Sequence, residues 1–256
     1  MAVSFDPHSS EPFLLSRSKI DLFLSCPRCF YLDRRLDIPR PPGFPFSLNL
    51  AVDTLLKKEF DISRAKKKSH PLMEKYHIDA IPFQTDQIDE WRDNWHGIRY
   101  RHQPTNFIVF GALDDVWQNK EGELIVVDYK ATSTIKKIDL DDGQSYHESY
   151  KRQVEVYQWL LRKNGHKVSN TAYFVYCNGR KDEKAFDGKL EFDIQIIPHQ
   201  GDDQWIEPTL LKMKECLMSN TIPKANPECP YCKYRKEAGE KEFPSKNKEQ
   251  FQLNLN

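Results

Sequence analysis

The chain has 256 residues, with 38 basic and 38 acidic side chains and a formal net charge of zero. That balance excludes a globally basic, histone-like binder while leaving room for a local basic groove. With 39% hydrophobic and 12% aromatic residues there is material for a core, and no apolar run approaches the ~18–20 residues of a membrane span.

Residues 1–15 lack periodicity and read as a loose arm. Their first part has neither a basic segment nor an apolar one, so no secretory leader is expected. A cytoplasmic protein is the expectation, with its cysteines as reduced thiols or metal ligands. Ser18 and Asp21 have the S-x-x-D form of a capping box ahead of Leu22, Phe23 and Leu24, so a short helix begins there. Pro27 suits the first position of a second helix, which places Cys26 and Cys29 on its first turn. Residues 38–46 hold four prolines and a glycine and read as a loop. Over residues 48–60, Val52, Leu55, Leu56 and Phe60 follow helical spacing, with Asp53 at the border of the stripe. Lys57, Lys58, Arg64, Lys66, Lys67 and Lys68 form a basic run in and after that helix.

Residues 85–103, with Trp91 and Trp95 at i,i+4, read as another helix. The pattern then becomes β-rich over 106–117 and 123–131, with 118–122 as a hairpin turn. Residues 149–163 form an amphipathic helix that ends at Asn164-Gly165. Strands are expected over 171–177 and 190–197, and a last helix over 203–218. The charged stretch 237–256 reads as a disordered tail. One domain over 16–236 is the expected organisation.

Cys177 and Cys216 stand alone in apolar surroundings and read as small buried hydrophobes. The other four cysteines form two pairs of one pattern, Cys26-Pro27-Arg28-Cys29 and Cys229-Pro230-Tyr231-Cys232. A CxxC brings two sulfurs within reach of one metal, and two such pairs complete a tetrahedral thiolate set. Cys29 and Cys229 lie 200 positions apart, so a shared site would clasp the two ends of a domain.

Period-two alternation places Ile108, Phe110, Ala112 and Asp114 on one face of a strand, and Val126, Asp128 and Lys130 on one face of the next. Carboxylates at the end of an apolar strand face are costly to bury without a purpose. Two of them converging there make a site for a hard divalent cation with oxygen ligands. A lysine beside them orients or activates a water without binding the metal. Together these are the parts for metal-assisted phosphodiester hydrolysis. An isolated D-x-K is also a common surface ion pair, so its meaning depends on its surroundings.

Those surroundings resemble a family. Gly111-Ala112-Leu113-Asp114, then Val126-Val127-Asp128-Tyr129-Lys130, then Gln153 and Tyr157 in a Q-x-x-x-Y helix are similar, in order and spacing, to the PD-(D/E)XK nuclease superfamily. The branch resembled is that of the RecB-like nucleases, which includes AddB-type helicase-nucleases and CRISPR-associated RecB-like exonucleases. Residues 16–31 (SRSKIDLFLSCPRCFY) are similar to that branch's opening helix and Cys-Pro-x-x-Phe motif. The resemblance implies a restriction-endonuclease-like mixed sheet flanked by helices. It also implies Mg²⁺ or Mn²⁺ on Asp114 and Asp128, a water held by Lys130, and Gln153 and Tyr157 lining the site. Simple helix packing is the other reading of that last pair.

Two departures stand out. Where the branch carries a helical histidine ligand, this chain has Asp53, which is either an oxygen ligand or a plain helix residue. Iron–sulfur members use one N-terminal and three C-terminal cysteines. Here no cysteine follows Cys232, so Cys29 would supply the fourth thiolate. The resemblance favours a [4Fe–4S] cluster and the symmetric pairs favour zinc; the expectation leans to iron–sulfur. The basic run Lys57 to Lys68 is either a backbone-tracking patch or a solvated face. Trp91, Trp95 and Tyr100 read as core aromatics, with base stacking as the alternative. No reader of base sequence is visible. The expected function is therefore a metal-dependent deoxyribonuclease, an exonuclease acting on DNA ends or single strands in repair, recombination or CRISPR-type processing. A helicase or CRISPR component would be its partner. The alternative is a catalytically weak DNA-binding subunit of a larger complex.

Overall fold

The computed structural model of the chain describes residues 4–43 and 47–243. Strand β1 (Phe13–Ser16) leads into α1 (Arg17–Ser25), and α2 (Pro27–Arg35) follows after one residue. Pro27 takes the first helical position, where its missing N–H costs nothing, and the Cys26 sulfur caps the helix by accepting the Cys29 N–H at 3.4 Å. The capping box expected at Ser18 and Asp21 does not form. Helix α1 starts two residues earlier, with Ser16 at the N-cap, and the hydroxyls of Ser16 and Ser18 are hydrogen-bonded at 2.9 Å.

Next come α3 (Ser47–Lys66), α4 (Pro71–Lys75), β2 (Ala80–Pro82), α5 (Ile88–Arg92), β3 (Ile98–His102) and β4 (Phe107–Gly111). Then β5 (Asp115–Asn119), β6 (Leu124–Thr132), α6 (Ser145–Lys163), β7 (Thr171–Gly179), β8 (Phe192–Gln200), α7 (Ile206–Met218) and α8 (Pro230–Glu242) complete the chain. No helix among the described residues is long and apolar enough to cross a membrane.

Two expectations fail for local reasons. The helix foreseen over 85–103 shrinks to α5, because the Asp93 carboxylate accepts the Trp95 and His96 N–H groups at 2.8 and 2.7 Å and ends it. Gly97 then turns the chain at φ +58°, with its Cα packed on the Gly111 carbonyl so closely that no Cβ fits. Trp91 ends in the core and Trp95 in solvent. The strand foreseen over 106–117 breaks between Gly111 and Asp115: Leu113 is fully buried and its N–H donates to the Trp91 carbonyl at 2.9 Å.

The described residues gather into two compact units, those of 1–43 with 101–108 and 205–256, and those of 44–100 with 109–204. The first is assembled from both ends of the chain and one turn, so no break in composition marks it. In it, residues 4–15 are not a loose arm. Phe5 is buried edge-on against Phe13 at 5.3 Å, and Leu15 is fully enclosed. Helices α1 and α2 pack on α7, and the buried Tyr31 hydroxyl donates to the Ser219 carbonyl at 2.9 Å. Helix α8 makes residues 237–242 of the expected tail helical. The tail beyond Phe243, like residues 44–46 of the expected loop, lies outside the described residues.

The second unit is built on a mixed five-stranded sheet of order β2-β5-β6-β7-β8. Strands β6 and β7 are parallel, joined by the α6 crossover, and the other neighbours are antiparallel. Helix α3 covers one face, with Leu56 and Phe60 packing on Trp117, Val127, Tyr129 and Val175. Helix α6 covers the other with Val154, Tyr157, Leu160 and Leu161 buried. Since successive β6 side chains alternate, Val127 and Tyr129 point to α3, while Asp128 and Lys130 point to α6.

Candidate functional site

The break between β4 and β5 positions the first carboxylate. Freed from the ladder, Asp114 folds over the edge of β6 and accepts the Tyr129 N–H on Oδ2 at 2.9 Å. It therefore lies beside β6 as expected, although not on a continuous strand face. From α3, Asp53 approaches the same place, and the Lys57 ammonium sits between the two, 2.8 Å from Asp53 Oδ2 and 3.4 Å from Asp114 Oδ1. Burial, and then the Asp114 charge, push the Asp53 carboxyl up, with Lys57 opposing them. Burial acts to lower the Lys57 ammonium, but Asp114 and Asp53 outweigh it and hold it above the usual lysine value.

On the α6 side of β6, Asp128 is fully buried and ion-paired with Lys130. Burial acts to lower the pKa of that lysine; the Asp128 and Asp114 charges outweigh it and raise its affinity for the proton. Lys130 Nζ lies 3.4 Å from Gln153 Oε1 and 4.4 Å from the centre of the Tyr150 ring. Gln153 Nε2 in turn donates to the Tyr157 hydroxyl at 3.2 Å. So Gln153 touches the lysine, whereas Tyr157, only 4% exposed, stands behind it in the packing of α6.

Beneath these groups lies an ionic cluster that the sequence motifs did not reveal. Asp115 is fully buried and is gripped by Arg64, by Arg92 at 3.1 Å, by the Tyr129 hydroxyl at 2.8 Å and by the Val116 N–H at 2.8 Å. Arg92 also forks onto Asp61 at 2.8 and 3.0 Å and donates to the Asp114 carbonyl at 2.9 Å. The cluster ties α3, α5 and the Asp114 loop together, so the position of Asp114 is fixed from below. Burial would raise Asp61, but Arg92 and Arg64 outweigh it and hold that carboxyl below its usual range. Burial and the Asp115 charge push the Tyr129 phenol well up.

This corrects the expected basic patch. Arg64 is buried in the cluster and Lys57 bridges the two carboxylates, which leaves Lys58, Lys66, Lys67 and Lys68 as the exposed members. A signal for Arg64 was present: Leu56, Phe60 and Arg64 continue one helical stripe at i,i+4. Of the aromatics, Trp91 is buried as expected and Tyr100 packs edge-on against Trp159 at 5.4 Å, whereas Trp95 is exposed rather than in the core.

An ammonium held between Asp53 and Asp114 shows that the pair accommodates a cation. Two hard carboxylates suit Mg²⁺ or Mn²⁺, which bind through one or two carboxylates and keep several waters. Asp53, Asp114 and Asp128 do not form a closed cage. Among the described residues the only set of three or more ligating side chains with all donor atoms within 4.8 Å is Cys26, Cys29, Cys229 and Cys232.

That quartet lies in the first unit, with Cys26 and Cys29 at the start of α2 and Cys229 and Cys232 at the start of α8. Sulfur separations are 3.6 Å for Cys26–Cys232 and Cys29–Cys229, and 3.9 Å for Cys29–Cys232. Arg40 supports it, donating to the Cys229 sulfur at 3.3 Å and lying 4.5 Å over the Tyr231 ring. Although burial opposes it, the N–H groups of Cys232 and Tyr231 and the neighbouring thiols bring the Cys229 thiol down to about 7. The cluster joins N- and C-terminal segments as the two CxxC pairs foretold.

A family profile described as the PD-(D/E)XK nuclease superfamily matches residues 49–236, most of the chain and all of the carboxylate site. The chain belongs to that superfamily. Its α/β architecture is restriction-endonuclease-like, and divalent metals and nucleic acid cleavage are the superfamily's chemistry. No curated protein matches the sequence. Among solved structures, the chain is similar to one titled "Crystal structure of SSO0001", with 16% identity and a TM-score of 0.32 over 89% of this chain and 84% of that one.

Proposed function

We propose that this protein is a divalent-metal-dependent deoxyribonuclease of the RecB-like branch, acting as an exonuclease on DNA ends or single strands. The observation that supports it most is the meeting of Asp53, Asp114 and the Asp128–Lys130 pair at one end of the sheet. In this reading Asp53, Asp114 and Asp128 hold Mg²⁺ or Mn²⁺. When bound, the metal polarises the phosphate and lowers the pKa of a water. Lys130, kept protonated by Asp128 and Asp114, holds that water by donating to its oxygen. Gln153 fixes the lysine, and Tyr157 fixes Gln153. Repair, recombination or CRISPR-type processing, with a helicase or CRISPR component as partner, are the settings that suit this branch.

For the cysteine quartet we favour a single tetrahedral ion such as zinc over the [4Fe–4S] cluster. A Zn–S bond of about 2.3 Å gives tetrahedral sulfur separations of about 3.8 Å; three of the sulfur pairs stand 3.6–3.9 Å apart and all four sulfurs lie within 4.8 Å of one another. A cubane with four irons between the thiolates needs them wider. Metal analysis and an absorption spectrum of anaerobically purified protein decide: zinc without a visible iron–sulfur band supports the single ion, and four irons with sulfide overturns it.

One observation favours a second reading, a DNA-binding subunit without strong catalysis. Lys57 holds the place between Asp53 and Asp114 that a metal would need. The test is cleavage of end-labelled single- and double-stranded DNA with Mg²⁺ or Mn²⁺. Degradation from an end supports the exonuclease. Salt-sensitive binding without cleavage, in folded protein that retains its thiolate-bound metal, supports the subunit.

A further inference from the structure

Beside Lys130 a cavity of about 150 Å³ runs between the end of β6, the 133–144 connection, β7 and the first turns of α6. Its aromatic walls are Tyr146, Tyr150 and Tyr176. Tyr150 faces Lys130 on one side, 4.4 Å from the ammonium, and meets Tyr146 edge-on at 5.8 Å on the other. Tyr146 is 48% exposed and so stands at the mouth. Tyr176, at the same register as Lys130 on the neighbouring strand, is only 3% exposed, and no group among the described residues partners its hydroxyl. A buried hydroxyl finds a partner as a rule, and here it borders a cavity. Lys136 and Lys137 are exposed on the rim, and the one carboxylate among the described lining residues, Asp142, is paired with His147 at 2.8 Å.

Resting on the nuclease reading above, we propose that this cavity is the substrate-selecting subsite. It takes the base of one unpaired nucleotide next to the phosphate at Lys130, against Tyr146 and Tyr150 and with a polar edge on the Tyr176 hydroxyl, while the sugar and phosphate stay outside. At about 150 Å³ the space is below the ~300–1,000 Å³ of ordinary ligand sites, too small for a base pair. Stacking surfaces with a basic rim are how single strands are held without regard to sequence. The subsite thus selects single-stranded ends over blunt duplex ones.

The test uses the full chain in buffer without added Mg²⁺ or Mn²⁺ and without a chelator, so that binding is read apart from cleavage and the cysteine-bound metal stays in place. The probes are a fluorescein-labelled oligothymidylate and a blunt hairpin duplex, followed by anisotropy. Tyr146→Ala is expected to weaken oligothymidylate binding by about fivefold or more. Tyr176→Phe, which removes one oxygen and keeps the ring, is expected to weaken it by a smaller factor. Neither change should alter binding of the hairpin or the thermal unfolding midpoint. Unchanged oligothymidylate binding in both variants overturns the subsite, as does equal weakening for both probes. The two readings fail separately: wild-type protein that never cleaves but shows the tyrosine-dependent binding refutes the nuclease and keeps the subsite, and the reverse pattern refutes the subsite alone.

Discussion

Replacing Asp115 by alanine tests whether the buried cluster fixes the site from below. The carboxylate accepts from Arg64, Arg92, the Tyr129 hydroxyl and the Val116 N–H. Its removal leaves two guanidinium side chains, each only 9% exposed, with Asp61 as their one remaining carboxylate among the described residues, and so little exposure lets water replace little of what is lost. Removing one partner from a buried ion pair costs about 3–5 kcal/mol, and the two arginine bonds alone, at about 1.5–3 kcal/mol each, give about 3–6 kcal/mol. Asp61 is the control. It pairs with the same two arginines, but its side chain is 41% exposed. Water therefore replaces much of what Asp61→Ala removes, and its loss should stay at or below about 1 kcal/mol. Urea unfolding followed by far-ultraviolet circular dichroism, with both variants beside wild type, reads the difference. A loss for Asp115→Ala below about 1 kcal/mol, or one equal to that of Asp61→Ala, would refute the reasoning.

Three further outcomes follow from the same geometry. Lys57→Met removes the cation between Asp53 and Asp114, so Mn²⁺ titrated calorimetrically should bind more tightly than to wild type; weaker binding would show that the lysine assists the metal instead of competing with it. Asp61 has a folded-state pKa below its unfolded one, so its contribution to stability is present above the ordinary carboxylate value of about 4 and is lost as pH falls through the lower folded value. Asp61→Asn should therefore lose less stability than wild type on acidification through that window, and an unchanged acid limb contradicts the assignment. Cys26→Ser or Cys229→Ser should release the thiolate-bound metal, measured by elemental analysis, and sensitise the first unit to proteolysis while the second stays resistant. Full metal retention in either variant would exclude that cysteine from the ligand set.

Contiguous chemistry was readable in the sequence and local geometry was not. The two CxxC pairs announced a shared site across 200 positions because thiolate spacing constrains its own partner. The Val126 to Lys130 run and the α6 pattern announced the site strand and its covering helix. The break at Ala112 to Asp114 was hidden because its apolar residues continue the period-two alternation, while its cause, the Trp91 carbonyl, lies 22 positions earlier. The same misreading hid Asp115. On a continuous strand it would face away from Asp114, and nothing near it in sequence names Arg64 or Arg92 as its partners. The N-terminal arm read as loose because two phenylalanines make no periodicity, although one buried ring is enough to anchor it.

The central claim is that Asp128 and Lys130 divide the labour of one reaction, the first holding the metal and the second the water. The most direct measurement pairs Mn²⁺ binding with cleavage of end-labelled single-stranded DNA for wild type, Asp128→Asn and Lys130→Ala, each checked for folding by circular dichroism. The account predicts that Asp128→Asn loses both metal binding and cleavage, while Lys130→Ala keeps the metal and loses cleavage. Wild-type rates in folded Lys130→Ala protein, or Mn²⁺ binding unaffected by Asp128→Asn, would contradict it.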